Sequence, residues 1–516
     1  MKPLHYLAVA SAAISVAATL AMAQDAGQAA QDAAQDTATT PTPTTSPTSQ
    51  PTSQPATRPA TRPATRPARY RDRVFTISPA SADLFKALQP GDLGVVQPPT
   101  SDRNAAPIYF TAIQLMPDAD LYQELFAKAG KTVDGEPVKD LHELFDADGK
   151  LLFPDVAQQA LDLYVSSMDA IEPAFERSVC DWESSIPEQG FEALLPHLNH
   201  MRQMAKVIRT RALVRANNGD TEGALGDVRR LLIMAHHVGD GDHRVVVEQL
   251  VGIGIYAVGM DTLQKVQNQV DVPNAYWALA NEAEAFDPSD GLLGELEGFY
   301  GSFPALRDPT AVTPALASDI LQSWQSMSNM INPGSSPLSA AAFGIGAGVS
   351  ARTWFEQRGM SEAELNDIPP AELTARFFVD TFEPWVRKSA ALAKLPPYRS
   401  EKAMAKLETQ LAELPVMSIG ATAMPSVRVA TASFWRLEQQ RAVMQTIEAV
   451  RHHVATNQQL PDSLAELELP SPVDPFTGEA FDYVKLVGGF EISAAPHNDD
   501  EETGLRYSVT LRNAPE

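Results

Sequence analysis

The sequence contains one cysteine, Cys180, among 516 residues. A disulfide framework within one chain is therefore excluded. A lone thiol can act as a nucleophile, but the neighbours Val179 and Asp181 supply no positive charge that would favour the reactive thiolate. We predict that Cys180 is a buried structural residue.

Long apolar runs are missing after residue 23, because no later segment reaches the roughly 18 apolar residues of a membrane span. Residues 250–260 are apolar but short, and their glycines favour a closely packed buried helix. The mature chain is therefore predicted to have no transmembrane segment.

Basic residues are scarce, with 40 Lys and Arg against 65 Asp and Glu and a net charge of -25. Residues 74–516 hold 33 basic and 61 acidic residues, a net of -28. Such a body repels phosphate backbones and anionic lipid surfaces. Nucleic acid is therefore not an expected partner.

Common catalytic signatures are absent: there is no G-x-S-x-G, H-E-x-x-H, C-x-x-C or Walker loop. An enzyme with scattered catalytic residues is not excluded by this. The absence favours a protein without catalytic activity and without a cofactor.

The N-terminus indicates export. Residues 1–23 combine Lys2, an apolar run and a small-residue cleavage site at 21–23, which is typical of a signal peptide. Residues 24–73 are rich in Pro, Thr, Ala and Arg, and residues 56–67 repeat Ala-Thr-Arg-Pro. Proline at this frequency blocks helix, so we predict a disordered, extended linker. The protein is expected in the periplasm, the cell envelope or the exterior.

Residues 74–425 are predicted to form a helical body, organised around three amphipathic helices in residues 191–269. Asn217 to Gly219 end the first helix, and Asp220 or Thr221 caps the second. The short connection predicts an antiparallel pair. The stripe of the first helix consists of Met201, Met204, Ala205, Ile208 and Ala212.

Residues 205–237 resemble a tetratricopeptide-type helical hairpin. The resemblance implies a mainly α fold of stacked antiparallel helical hairpins (α-solenoid-like) whose grooves bind proteins. Its matching positions are Ala212, Ala216, Gly219, Asp220, Ala224, Leu225 and Leu232.

Residues 426–516 are predicted to form a long helix and a small antiparallel β unit, because Tyr507, Val509 and Leu511 alternate with polar residues. The order of helix, LPDSL, VDPFTGEAFDY, GGFEIS, acidic loop and strand over residues 427–513 resembles the globular end of type II secretion pseudopilins. The resemblance implies calcium in the acidic loop; a solvated charged turn is the alternative. The loop ligands would be Asn498, Asp499, Asp500 and Glu501.

A histidine and aspartate cluster is predicted in an interhelix loop at residues 236–243. Imidazole and carboxylate together are ligands for zinc or a similar ion, although an ordinary Gly/Asp turn explains the same residues. Residues 145–151 partly resemble a calcium loop, but Leu144 stands at the first ligand position, which favours a hairpin turn. The histidine and aspartate cluster at residues 236–243 consists of His236, His237, Asp240, Asp242 and His243.

The sequence thus predicts an exported bacterial envelope protein that acts as a non-enzymatic protein-binding or scaffold module. Two alternatives stay open: a metal-dependent hydrolase using the 236–243 loop, and a calcium-stabilised module associated with secretion. The identity of the protein partner is not encoded in any pattern of the chain.

Overall fold

The computed structural model describes residues 71–83, 85–93, 101–183, 186–190, 195–239, 244–282, 286–331, 337–415, 427–494, 496 and 504–512. The predicted signal peptide and residues 24–70 of the predicted linker lie outside these ranges. Within them the chain is mainly helical, which confirms the predicted mainly α class, and it has a small mixed sheet.

The helices follow one another along most of the described chain. They are α1 Ala106–Gln114, α2 Ala119–Ala129, α3 Pro154–Leu163, α4 Val165–Ile171, α5 Ile186–Gln189, α6 His197–Asn217, α7 Thr221–Gly239, α8 Val246–Gln269, α9 Tyr276–Asn281, α10 Pro288–Ser302, α11 Pro314–Ile331, α12 Pro337–Glu356, α13 Glu362–Asp367, α14 Pro370–Asp380, α15 Glu383–Ala393, α16 Pro397–Ala412 and α17 Val427–Asn457.

The main sheet has four strands in the order β1–β8–β7–β6, and two further sheets of two strands each pair β2 with β5 and β3 with β4. The strands are β1 Arg71–Ile77, β2 Ser101–Asn104, β3 Thr132–Val133, β4 Glu136–Pro137, β5 Arg177–Val179, β6 Asp482–Leu486, β7 Gly489–Ala494 and β8 Leu505–Leu511.

The main sheet corrects the prediction of an antiparallel β unit made from the C-terminus alone. β1 pairs in parallel with β8, with Arg71 opposite Leu505 and Ile77 opposite Leu511. β1 also crosses the predicted boundary between linker and body at residue 73. Such a pairing joins ends more than 400 residues apart, so no local pattern reveals it.

The three central helices α6, α7 and α8 pack against one another, as the periodicity predicted, and all five residues of the α6 stripe are buried. Gly219 ends the first connection with a φ of +79°, which glycine adopts without strain. The Asp220 carboxylate accepts a hydrogen bond from the Gly223 N–H at 2.9 Å and caps α7. The backbones of α7 and α8 nearly touch, since a Cβ on Gly252 would lie 2.6 Å from the Gly239 Cα.

Among the described residues, α8 is the one helix long and apolar enough to cross a membrane, with a mean hydropathy of 1.3 over its most apolar window. However, 72% of that window is buried inside the fold. The predicted buried helix at residues 250–260 is its central part.

A fully buried ion pair within α17 connects this helix to the rest of the chain through further hydrogen bonds. Arg451 donates to both carboxylate oxygens of Glu448, at 2.8 and 2.7 Å, and its other donors reach the carbonyls of Ser78 and Val272. The Glu448 oxygens also accept from the Gln267 side chain. The long helix predicted as part of a C-terminal unit therefore shares its core with the end of α8 and with the segment after β1.

Pro337–Glu356 form α12 although the segment contains several glycines, and Ala347 and Ala351 are buried. Packing overrides the low helix propensity of its glycines. The predicted hairpin turn at 145–151 is confirmed, since Phe145 pairs with Leu151 and Gly149 has a φ of +84°.

Candidate functional site

His237 lies in the last turn of α7 and not in an interhelix loop, because the helix continues to Gly239. Its Nε2 donates to the Arg177 carbonyl at 3.1 Å, and its Nδ1 accepts from the Tyr109 hydroxyl at 2.7 Å. Burial lowers the pKa of His237 to about 4, so the ring is neutral. A neutral imidazole with both nitrogens engaged has no lone pair left for a metal ion.

His236 also lies in α7 and contacts a different set of residues. Its Nε2 lies 3.4 Å from the Glu282 carboxylate, and its ring stacks on Phe286 at 5.0 Å. Asp240, Asp242 and His243 lie outside the described residues. Within the described ranges, no three His, Cys, Asp or Glu side chains are grouped in a way that could hold a metal ion.

The acidic loop residues Asn498, Asp499, Asp500 and Glu501 also lie outside the described residues. The calcium site that the pseudopilin resemblance implies therefore stays a prediction.

Two carboxylates cap the start of α8. The sequence did not indicate this role for either of them. Glu248, fully buried, accepts from the Val245 N–H at 3.1 Å, and Glu295 accepts from the Val246 N–H at 3.0 Å. Burial raises the pKa of Glu295 to about 7. Both carboxylates accept hydrogen bonds from N–H groups that have no partner within the helix, so their role is to stabilise the start of α8.

Buried His197 lies beside the Glu248 carboxylate, with 3.7 Å between Nε2 and Oε1. Its ring stacks on Trp182 at 4.2 Å. Burial, together with the charge of the Arg244 guanidinium, lowers the pKa of His197 to about 4. A dyad of this kind is used for proton transfer in enzymes, but here both side chains are enclosed in the interior.

Cys180 is half-buried, and burial raises the pKa of its thiol to about 12. The thiolate is therefore disfavoured at physiological pH. The sequence predicted a buried residue, whereas the side chain is partly exposed. Its carbonyl accepts a hydrogen bond from Arg244 Nη2 at 2.5 Å.

A cavity of about 270 Å³ lies between α3, α4 and α6, and we call it the α3–α6 cleft. Its apolar lining consists of Leu161, Val165, Met168 and Val214. Val165 is 50% exposed, whereas Met168 and Val214 are buried. A concave surface with an exposed apolar side chain is a common feature of binding sites.

Charged side chains of opposite sign line the same cleft. Asp162 and Asp169 come from α3 and α4, and Arg211 and Arg215 come from α6. Among the described residues, no ion pair or hydrogen bond joins these two carboxylates to these two guanidiniums. The cleft therefore presents separate acidic and basic groups around an apolar surface.

Buried Asp227 of α7 holds the two arginines of the cleft in place. Its oxygens accept from Arg211 Nε at 3.1 and 3.0 Å, from Arg211 Nη2 at 2.6 Å and from Arg215 Nη1 at 2.8 Å. Arg230 also approaches Asp227, at 3.3 Å, and pairs with Glu172. The two-nitrogen contact fixes the plane of the Arg211 guanidinium, and Arg215 is held through Nη1 by Asp227 and by the Gly223 carbonyl.

No pattern in the sequence predicted the cleft. One signal was available: Asp227 lies three residues after Ala224 and four before Leu231, on the buried stripe of α7. A carboxylate on a buried stripe needs a cationic partner. The partners could not be identified because Arg211 and Arg215 lie on the preceding helix.

A comparison of the chain with models of protein families, with curated proteins and with solved structures finds no match.

Proposed function

We propose that this chain is an exported, non-enzymatic protein-binding module and that the α3–α6 cleft is its docking site. The proposal includes the finer architecture expected from the tetratricopeptide resemblance, in which antiparallel helical hairpins stack and leave grooves between them.

The observation that carries the proposal is the exposed side chain of Val165 inside a concave surface with oriented charges. Burying a valine side chain completely contributes about 1.5–3 kcal/mol, so covering Val165 gives a partner part of its binding free energy. Arginines already fixed by Asp227 lose little conformational entropy on binding.

The interior polar groups support the same proposal. His237 is engaged at both ring nitrogens, and Glu248 and Glu295 accept hydrogen bonds from the start of α8. These titratable side chains stabilise the fold, and none of them lines the α3–α6 cleft.

Site-specific photo-crosslinking tests the docking site. A photoreactive phenylalanine analogue would replace Val165 in the full chain, expressed in its native host. The matched control is Val484 of β6, which is 49% exposed against 50% for Val165. We expect a crosslinked protein adduct from position 165 that is missing from position 484. Equal adducts at both positions, or none at 165, would refute the docking site.

Export is tested separately by the intact mass of the protein recovered from the envelope fraction. A mature chain beginning at Gln24 is the expected result. A cytoplasmic protein that retains residues 1–23 would contradict the exported role and leave the cleft unaffected.

A further inference from the structure

We infer that the α3–α6 cleft selects a dipolar peptide segment, in which a basic and an acidic group flank an apolar side chain. The inference rests on the proposed docking function and adds the chemistry of the partner. It follows from the placement of charges around the cleft and from the size of the cavity.

One side of the cleft supplies acceptors for a basic group. Asp169 is exposed at the cleft and makes no hydrogen bond or ion pair among the described residues. Asp162 is also exposed and accepts from the Gln158 amide at 2.8 Å, which leaves acceptor capacity on its other oxygen. A lysine or arginine side chain of a partner would find two carboxylates there.

The opposite side supplies donors for an acidic group. A guanidinium has five N–H donors. Arg211 directs Nε and Nη2 at Asp227, and its Nη1 has no hydrogen-bond partner in the described part of the chain. Arg215 uses Nη1 for Asp227 and for the Gly223 carbonyl, and its Nε lies 3.9 Å from the Asp220 carboxylate, so Nη2 is its remaining donor group. A partner carboxylate would meet the remaining donors of both arginines.

The apolar lining of the cleft and its small volume set the length of the ligand. Leu161 and Val165 line the cleft from the helices that carry Asp162 and Asp169, and Val214 lines it from α6, which carries the arginines. An apolar side chain of the ligand would therefore contact apolar surface next to both charged groups. The cavity of about 270 Å³ is slightly below the roughly 300–1,000 Å³ of small-molecule sites. A segment of about three residues therefore suits the cleft better than a large cofactor does.

A peptide without net charge avoids nonspecific attraction to the negative surface of the protein. The chain carries -25 charges, so any cationic peptide is attracted to its surface without specific contacts. A dipolar peptide with no net charge gains nothing from that attraction. Its binding therefore reports on the local arrangement of charges.

Fluorescence anisotropy with labelled nine-residue peptides tests the inference on the purified mature chain in 0.15 M salt. The dipolar probes contain Lys-Leu-Glu or Glu-Leu-Lys between neutral residues, and the single-charge probes contain Lys-Leu-Gln or Gln-Leu-Glu. We expect at least one dipolar probe to bind about tenfold more tightly than both single-charge probes, since a hydrogen bond to a charged group contributes at about this level.

Two substitutions distinguish binding at the cleft from binding elsewhere on the protein surface. Asp169→Asn should weaken the dipolar probe about tenfold, and Asp319→Asn, at an exposed aspartate of α11, should leave it unchanged. Equal binding of dipolar and single-charge probes, equal effects of the two substitutions, or no binding of any probe would overturn the inference. A specific crosslink at Val165 together with any of these results would keep the docking function and reject only the dipolar ligand.

Discussion

Replacing Glu448 by glutamine should destabilise the whole chain, because the pair with Arg451 is the most enclosed ion pair described. Glu448 is 0% exposed and Arg451 is 1% exposed. The substitution keeps the shape of the side chain and removes its charge, which leaves the guanidinium buried without a compensating anion. Breaking one partner of a buried pair costs about 3–5 kcal/mol.

The hydrogen bonds around Glu448 set the expected cost near the upper end of that range. Besides Arg451, its oxygens accept from the Gln267 amide at 2.7 Å and from the Ala275 N–H at 2.9 Å. A glutamine has one acceptor oxygen, so one of these donors would face the new NH₂ group. The same loss would loosen α17, α8 and the start of α9 together.

Urea unfolding followed by circular dichroism and tryptophan fluorescence measures the effect. The free-energy change is obtained from the shift in midpoint at a common m value. Glu124→Gln is the matched control, because Glu124 forms an exposed pair with Lys128 at 3.2 Å and should change stability by less than about 0.5 kcal/mol.

A double variant separates the charge effect from simple loss of packing. Glu448→Leu with Arg451→Met should cost less than the sum of the two single changes, because no lone charge then remains in the interior. A cost below about 1 kcal/mol for Glu448→Gln, or additive effects in the double variant, would show that the pair is not buried as described.

Three further outcomes are expected. The pKa values of His197 and His237 are lowered to about 4 in the folded chain, so the unfolded chain binds more protons between pH 4 and 6.5. The free energy of unfolding should therefore fall by about 3 kcal/mol per histidine as pH decreases from about 6.5 to about 4. Denaturant titrations at several pH values measure this, and a free energy that stays constant over that range would contradict it. Gly294→Ala should lower the free energy of unfolding in urea by about 3 kcal/mol, because its Cβ would lie 1.8 Å from the Arg244 carbonyl oxygen. Gly348→Ala is the control and should be neutral or slightly stabilising, because its Cβ would lie 3.6 Å from the Thr374 hydroxyl oxygen. Iodoacetamide at pH 8 should label Cys180 slowly in the folded chain and quickly in urea, as measured by intact mass; rapid labelling of the folded chain would disprove the raised pKa.

The helical body could be predicted from the sequence because its signals are local. The stripe that includes Met201, Met204 and Ile208 repeats with the period of a helix, and Gly219 ends α6 through a backbone conformation that glycine favours. Such signals lie within one or two turns of the residue that they concern, so a single sequence contains them.

The mixed sheet and the candidate site depend on residues that are distant in the sequence. β1 finds its partner in β8, and Arg211 of α6 meets Asp227 of α7 only after the helices pack. His236 and His237 are neighbours in the sequence but contact different residues, Glu282 and Tyr109 respectively. A cluster of ligand-type residues along a chain does not therefore predict that their side chains converge.

Asp227 links the stability of the central helices to the geometry of the cleft. A buried carboxylate is retained only when cations compensate it, and three arginines provide more donors than its two oxygens can accept. The surplus donors of Arg211 and Arg215 must find acceptors elsewhere, and both side chains line the α3–α6 cleft. The interior charge thus holds both guanidiniums at the cleft, and under the proposed docking function their remaining donors would be available to a ligand. On this argument Asp227→Asn should weaken the binding of a dipolar peptide even though residue 227 does not line the cleft.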